Sequence, residues 1–327
     1  MRSPEVARAI PELVEAGILD PAVAVTPLRI ARGELMSVRG ELRAVLYVGV
    51  LVAMAGVSIL VKENLDRIGP VAIAVALGMA AAAVLGWALH RSPPFRWERV
   101  ESPDWSFDYL LLLGILLLGA ELAFVESRFA ALGPDWGLHL LLMSLVTAAL
   151  ALRCDSRISW SLALSTFAAW RGVAAARVGS ELLGEHAFTM RWNLAVCGAV
   201  FLGLGYTLWR FGRKAHFEPL TTFAGALALL LAFGLSAIGA SGPWVAWALA
   251  FLALASGFGI VALRLRRFGL FALAAVAAYA AVTRLALELF SDTFLGCFWF
   301  SGSSVAMIVL LFLVQRRFRV TADEEPA

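Results

Sequence analysis

Apolar residues in this chain come in long unbroken runs rather than in the alternations of amphipathic helices or strands. Ten such runs are separated by short polar links, at about 44–62, 69–89, 107–127, 136–153, 158–176, 191–211, 219–239, 243–263, 268–290 and 294–315. An α-helix needs about 20 apolar residues to cross the hydrocarbon core of a bilayer. The pattern therefore predicts an all-α, polytopic integral membrane protein of about ten transmembrane helices. The fourth and fifth runs are short and joined by RCDSR (residues 153–157), which predicts a tight antiparallel hairpin with Asp155 paired locally between Arg153 and Arg157.

Residues 1–42 differ in kind, mixing charge with helical apolar spacing. Gly17 reads as a helix stop, and Asp20-Pro21 and Thr26-Pro27 each read as a cap followed by a first-turn proline. Two or three short helices are expected there, lying on the cytoplasmic side. Their role is either an amphipathic leader or a module that docks a protein partner. The expected organisation is an N-terminal helical segment (1–42), a membrane bundle (43–316) and a C-terminal tail (317–327) ending in TADEEPA.

Composition agrees with the pattern. Hydrophobic residues make up 61% of 327, and mean hydropathy is +0.83. Soluble domains hold about 45–50% apolar residues. Alternating the runs across a membrane puts eighteen Lys and Arg residues on one side and six on the other. The positive-inside rule then places both termini in the cytoplasm, with a bacterial inner membrane as the expected location. The net charge of +3 comes from loop arginines, and no basic stripe with interleaved aromatics points to nucleic acid. Cys154, Cys197 and Cys297 are far apart and read as small packing residues. No nucleotide-binding, metallohydrolase or nucleophile-elbow motif is present, so no cofactor or catalytic residue is assigned. Glu181, Glu185 and His186, in the link before residue 191, match no standard metal spacing.

Small residues and aromatics have simpler uses. Gly78, Ala82 and Gly86 recur every four residues and predict a close helix–helix face, as do the alanines around Tyr279 and the run Ser301–Ser304. Trp105, Trp136, Trp192 and Trp244 fall near run ends, as interfacial tryptophans do. Ser106 is placed to cap the third helix, with Asp108 in its first turn.

Charges inside the runs carry the functional question, because each costs about 2.5–3.5 kcal/mol near the bilayer centre. Glu121, Arg171 and Arg284 each lie roughly 6–8 Å outward of their run's midpoint at 1.5 Å per residue, on three runs of the same direction. His139 reaches a similar depth, and Glu288 is one turn beyond Arg284. One reading is a buried ion-pair network that fixes helix register, with Glu121 neutralising Arg171 or Arg284. The other is an outward-facing site for a small solute or proton, which would make the protein a transporter or solute-binding membrane protein. A non-catalytic scaffold docking a partner through residues 1–42, and an intramembrane enzyme acting on lipid-linked substrates, remain as alternatives. Substrate, coupling ion and oligomeric state leave no trace in the residues.

Three stretches resemble a known family. LVEAGILDPAVA (13–24) is a short helical leader around a glycine turn. GVLVAMAGVSILVKENLDRIGP (49–70) is a glycine-bearing first span with a polar turn, and FDYLLLLGILLLGAELAFVE (107–126) is a further hydrophobic block. Over roughly residues 10–130 they resemble the predicted bacterial membrane proteins of the domain of unknown function 2157. That resemblance implies a membrane protein, and no activity, substrate or catalytic residue comes with it.

Overall fold

The computed structural model describes residues 4–32, 39–100, 106–129, 137–171, 187–238, 244–289 and 293–323. The chain divides into two compact units, residues 1–69 and 70–327.

In the first unit, α1 (Pro4–Glu15) and α2 (Pro21–Arg32) pack as a hairpin, and α3 (Arg39–Ile68) follows. The hairpin turns where its residues require. Gly17 takes a left-handed φ of 71°, which glycine adopts without a Cβ penalty. The amide of Ile18 donates to the carbonyl of Leu13, closing the end of α1. Asp20 precedes Pro21, and its carbonyl accepts from the amides of Val23 and Ala24. Thr26-Pro27 does not start a helix: Pro27 lies inside α2. Ile10 and Ala24 are buried within this unit. The apolar stretch of α3, Ala44–Glu63, is long enough to span a bilayer, with Val45, Val48, Leu51, Val52, Ile59 and Leu60 exposed.

The second unit holds α4 (Pro70–Arg91), α5 (Phe107–Phe129), α6 (Leu138–Cys154), α7 (Arg157–Trp170), α8 (Ala187–Phe211), α9 (Glu218–Ile238), α10 (Trp244–Arg264), α11 (Phe268–Leu289) and α12 (Thr293–Asp323). A single 3-10 turn, Ala215–Phe217, leads into α9. Among the described residues, eight helices of the chain are long and apolar enough to cross a membrane; α6 is a shorter apolar helix and α7 spans 14 residues. Large apolar side chains such as Val75, Leu145, Val200, Leu249, Val276 and Leu313 face outward. An apolar surface of that extent requires lipid, and every backbone group in lipid must bond within its own helix.

Helix α9 is central. It packs on α7, α8, α10 and α11, and half of its apolar stretch is buried, against none of that of α12. The α8–α9 contact is backbone on backbone. A Cβ at Gly198 would lie 2.9 Å from the amide nitrogen of Leu229, and one at Gly225 would lie 2.9 Å from that of Leu202. Helices approach this closely in membranes only where side chains are missing. On α4 the expected Gly78/Ala82/Gly86 face is displaced by about one residue. The buried positions are Ile73, Leu77, Ala81 and Ala88, while Ala82 is exposed and Gly86 has open space beside it. The glycine that matters at this interface is Gly114 of α5, where a Cβ would meet Leu85 at 2.8 Å.

The predicted α6–α7 hairpin is present. Asp155 makes the turn with φ 59°, Ser156 caps α7 by accepting from the amide of Ser159, and Ser144 donates across to the carbonyl of Ala163. Between α11 and α12, the Tyr279 hydroxyl lies 2.8 Å from that of Ser304 and 3.1 Å from that of Ser303. The tyrosine and the serine run are thus two halves of one polar contact. Helix α12 continues past residue 317 to Asp323, so most of the expected tail is helical.

Candidate functional site

Three links between helices meet at one end of the second unit: residues 92–100 after α4, Asp155–Ser156 between α6 and α7, and Gly212–Phe217 between α8 and α9. Asp155 is their junction. Its Oδ2 accepts from the amide of Val100 at 2.7 Å and from Lys214 Nζ at 2.8 Å. Its Oδ1 lies 2.8 Å from His216 Nε2, close enough for an ion pair but off the line of a hydrogen bond. The side chains of Lys214 and Asp155 are only 1% and 3% exposed. The Lys214 backbone amide donates to the carbonyl of Trp97, and its ammonium sits 5.0 Å from the Phe95 ring centroid. Arg153 does not pair with Asp155 as the sequence suggests. Its guanidinium donates to Ser92 Oγ and to the carbonyl of Pro93, tying the α4 link to the base of α6.

Backbone strain accompanies this junction. Asp155, Lys214 and Arg266 are left-handed, with φ of 59°, 50° and 51°. Such a conformation costs about 1–2 kcal/mol for a residue with a Cβ. Each sits two to four positions ahead of a helix: α7, α9 or α11. Short left-handed links turn each hairpin back on itself, so the first turns of these three helices come out on the same side.

Those first turns line an open groove of about 530 Å³. Arg157, Ile158 and Ser161 come from α7, Pro219, Leu220, Thr222 and Phe223 from α9, Gly269 and Leu270 from α11, with His216 and Arg267 from the links. Arg267 is held by both carboxylate oxygens of Glu218, at 2.7 Å for Nη1–Oε1, and Glu218 Oε1 also accepts from Thr222. Arg157 is exposed and has no hydrogen-bond or ion-pair partner among the described residues. Beneath the groove, the Trp160 indole donates to Thr221 Oγ1 at 2.8 Å and stacks on Phe217.

Among the described residues, Glu121, Arg171 and Arg284 have separate surroundings. Glu121 is half-buried on α5 and lies against α4 at Gly78, where a Cβ would come 3.5 Å from Oε1. Among the described residues it has no hydrogen bond and no ion pair, so it neutralises neither Arg171 nor Arg284. Arg171 is not inside a helix: regular α7 ends at Trp170, and Arg171 is its C-cap, where the helix dipole favours a cation. Its guanidinium donates to Asn193 Oδ1 of α8 at 2.8 Å and lies over Trp170. Arg284 lies 4.2 Å from the Trp244 ring centroid, joining α11 to α10 and giving that tryptophan more than a membrane-interface role. His139 is buried in the first turn of α6, and Glu126 is buried near the end of α5. Glu288 is on α11, with its side chain outside the described residues, as are Glu181, Glu185 and His186. Cys154 and Cys197 are free and buried.

Lys214, His216, Glu218 and Arg267 escaped the sequence reading because each lies in a link or, for Glu218, at the first residue of a helix, where charges are ordinary. The available signal was the density of ionisable groups in GRKAHFE (212–218), which is more than a short turn needs for solubility.

No curated protein and no solved structure is similar enough to this chain to count as a match. A family model does match: residues 11–160, from the leader to the start of α7, are similar to the family described as predicted membrane protein (DUF2157), in agreement with a multi-pass membrane protein.

Proposed function

We propose that this multi-pass protein is a small-solute transporter or solute-binding membrane protein, in which Glu121 exchanges a proton or binds a cation. One observation carries the reading: Glu121 lies within the apolar stretch of α5, half-buried, without a hydrogen bond or countercharge among the described residues. An ionisable group kept in a membrane helix at such cost, and not used to hold another charge, is a functional-site hypothesis by default. Its neighbour Gly78 supports the reading, since a residue without a side chain leaves room beside the carboxylate. Arg171, Arg284, His139 and Glu288 are the accompanying candidates for contact with the solute. The eighteen-to-six division of basic residues supports both termini in the cytoplasm and a bacterial inner membrane.

The test is access from water. In a background lacking Cys154, Cys197 and Cys297, Glu121→Cys is exposed to a membrane-impermeant thiol reagent in intact membranes and again after solubilisation. Labelling in membranes is expected. Protection in membranes with labelling in detergent would reject the site.

A second reading has its own support. The α1–α2 hairpin exposes Leu13, Ile18, Val23 and Val25, of which Ile18 is 74% exposed. An apolar face on so small a unit favours a docking role for the N-terminal segment. A partner recovered with the full chain and lost with Ile18→Asp would support it; equal recovery would remove it.

A further inference from the structure

We propose that the groove at the starts of α7, α9 and α11 is a binding site for an acidic phospholipid, with Arg157 as its phosphate-contacting residue. The argument begins with charge. Among the described residues, the charged groups at and beside the groove are Arg157, Arg267, Lys214, Arg99, Glu218 and Asp155, with His216 at its wall. Glu218 takes Arg267, and Asp155 takes Lys214 and faces His216, which leaves Arg157 without a countercharge among the described residues. Three helix beginnings line the same space, and helix N-termini favour anions through their free amides and dipoles.

The walls select the kind of anion. Ile158, Leu220, Phe223 and Leu270 are apolar and belong to helices with lipid-facing sides; Phe223 is itself exposed. A free phosphate has no use for such walls. A phospholipid has, since its phosphate can meet Arg157 beside Ser161 while its glycerol and first methylenes lie along the apolar side chains. At about 530 Å³ the groove has the volume of an ordinary ligand site. Basic pockets between membrane helices are a recurring place for acidic headgroups. This site is independent of Glu121: α5 begins at the same end as the groove, and Glu121 lies about 21 Å further along it at 1.5 Å per residue.

The experiment uses the full-length protein in mild-detergent mixed micelles, titrated with phosphatidylglycerol or phosphatidylcholine, with bound lipid counted by native mass spectrometry. The wild-type protein is expected to hold phosphatidylglycerol at least about tenfold more tightly: both lipids offer a phosphate, but the choline cation of phosphatidylcholine offsets its charge beside Arg157. Arg157→Gln should abolish that preference, while Arg210→Gln, an exposed arginine at the same end outside the groove, should keep it. Leu220→Trp, checked for an unchanged unfolding midpoint, should lower retention of the acidic lipid by filling the groove. Excess inorganic phosphate should leave the lipid bound. Three results would each overturn the proposal: equal retention of the two lipids, equal effects of Arg157→Gln and Arg210→Gln, or displacement of the lipid by inorganic phosphate. The last would assign the groove to a free anion.

Discussion

The link end of the second unit is held by charge, whereas its middle is held by shape. At the link end, Asp155, Lys214, His216, Glu218 and Arg267 form paired, mostly buried contacts that join several links. In the middle, Gly198 and Gly225 bring two backbones together, and Glu121 lies apart from Arg171 and Arg284, which bond across other helix pairs. The contrast follows from solvent. Near the membrane surface, water and backbone groups help to solvate an ion pair, so several charges can converge. Deeper, each added charge costs more than a close apolar contact returns, and association relies on small residues.

The largest expected effect comes from breaking the charged end. Lys214→Met leaves Asp155 buried without its cation and should destabilise the protein by about 3–5 kcal/mol, read as a lowered unfolding midpoint in detergent. Adding Asp155→Asn should restore most of that loss, because the charge is removed while an acceptor for Val100 remains. If the double variant is as unstable as the single one, the junction is held by shape after all. In the middle, Gly198→Val drives a side chain into the α9 backbone and should cost about 1–3 kcal/mol, with no rescue from salt or charge changes. At the border, Thr221→Val removes the acceptor of the Trp160 indole and should cost about 1–3 kcal/mol, with altered tryptophan fluorescence as a second readout. Glu121→Gln should not lower stability, since no hydrogen bond or countercharge among the described residues is lost and a membrane charge is removed. A large destabilisation there would mean that Glu121 is structural and would count against its proposed role.

Much of the architecture could be read from the sequence because lipid imposes one rule on every span. Run length alone finds α3 to α5 and α8 to α12, and RCDSR identifies the α6–α7 turn. What could not be read was which residue meets which. Asp155 has Arg153 and Arg157 as near neighbours, yet its cation is 59 positions away. Proximity along the chain favours the wrong partner when the helix geometry points both arginines elsewhere. The Gly78 stripe failed for a related reason: GMAAAAVLG (78–86) is small on nearly every face, so composition does not fix which face turns inward. Gly198 and Gly225 are complementary only once α8 and α9 are antiparallel, and neither helix shows that alone. Arg171 was misplaced because an apolar run does not record where a helix ends within it.

The junction at Asp155 also has a consequence for synthesis. Its carboxylate belongs to one hairpin, and the ammonium that neutralises it belongs to the next, translated 59 residues later. Until Lys214 leaves the ribosome, the nascent protein carries an acid whose countercharge does not yet exist, beside a turn already committed to a left-handed shape. Pairing of the two therefore marks the moment at which the second hairpin has joined the first. A chain cut short before Lys214 keeps Asp155 without that cation, a chemical difference between an unfinished protein and a finished one.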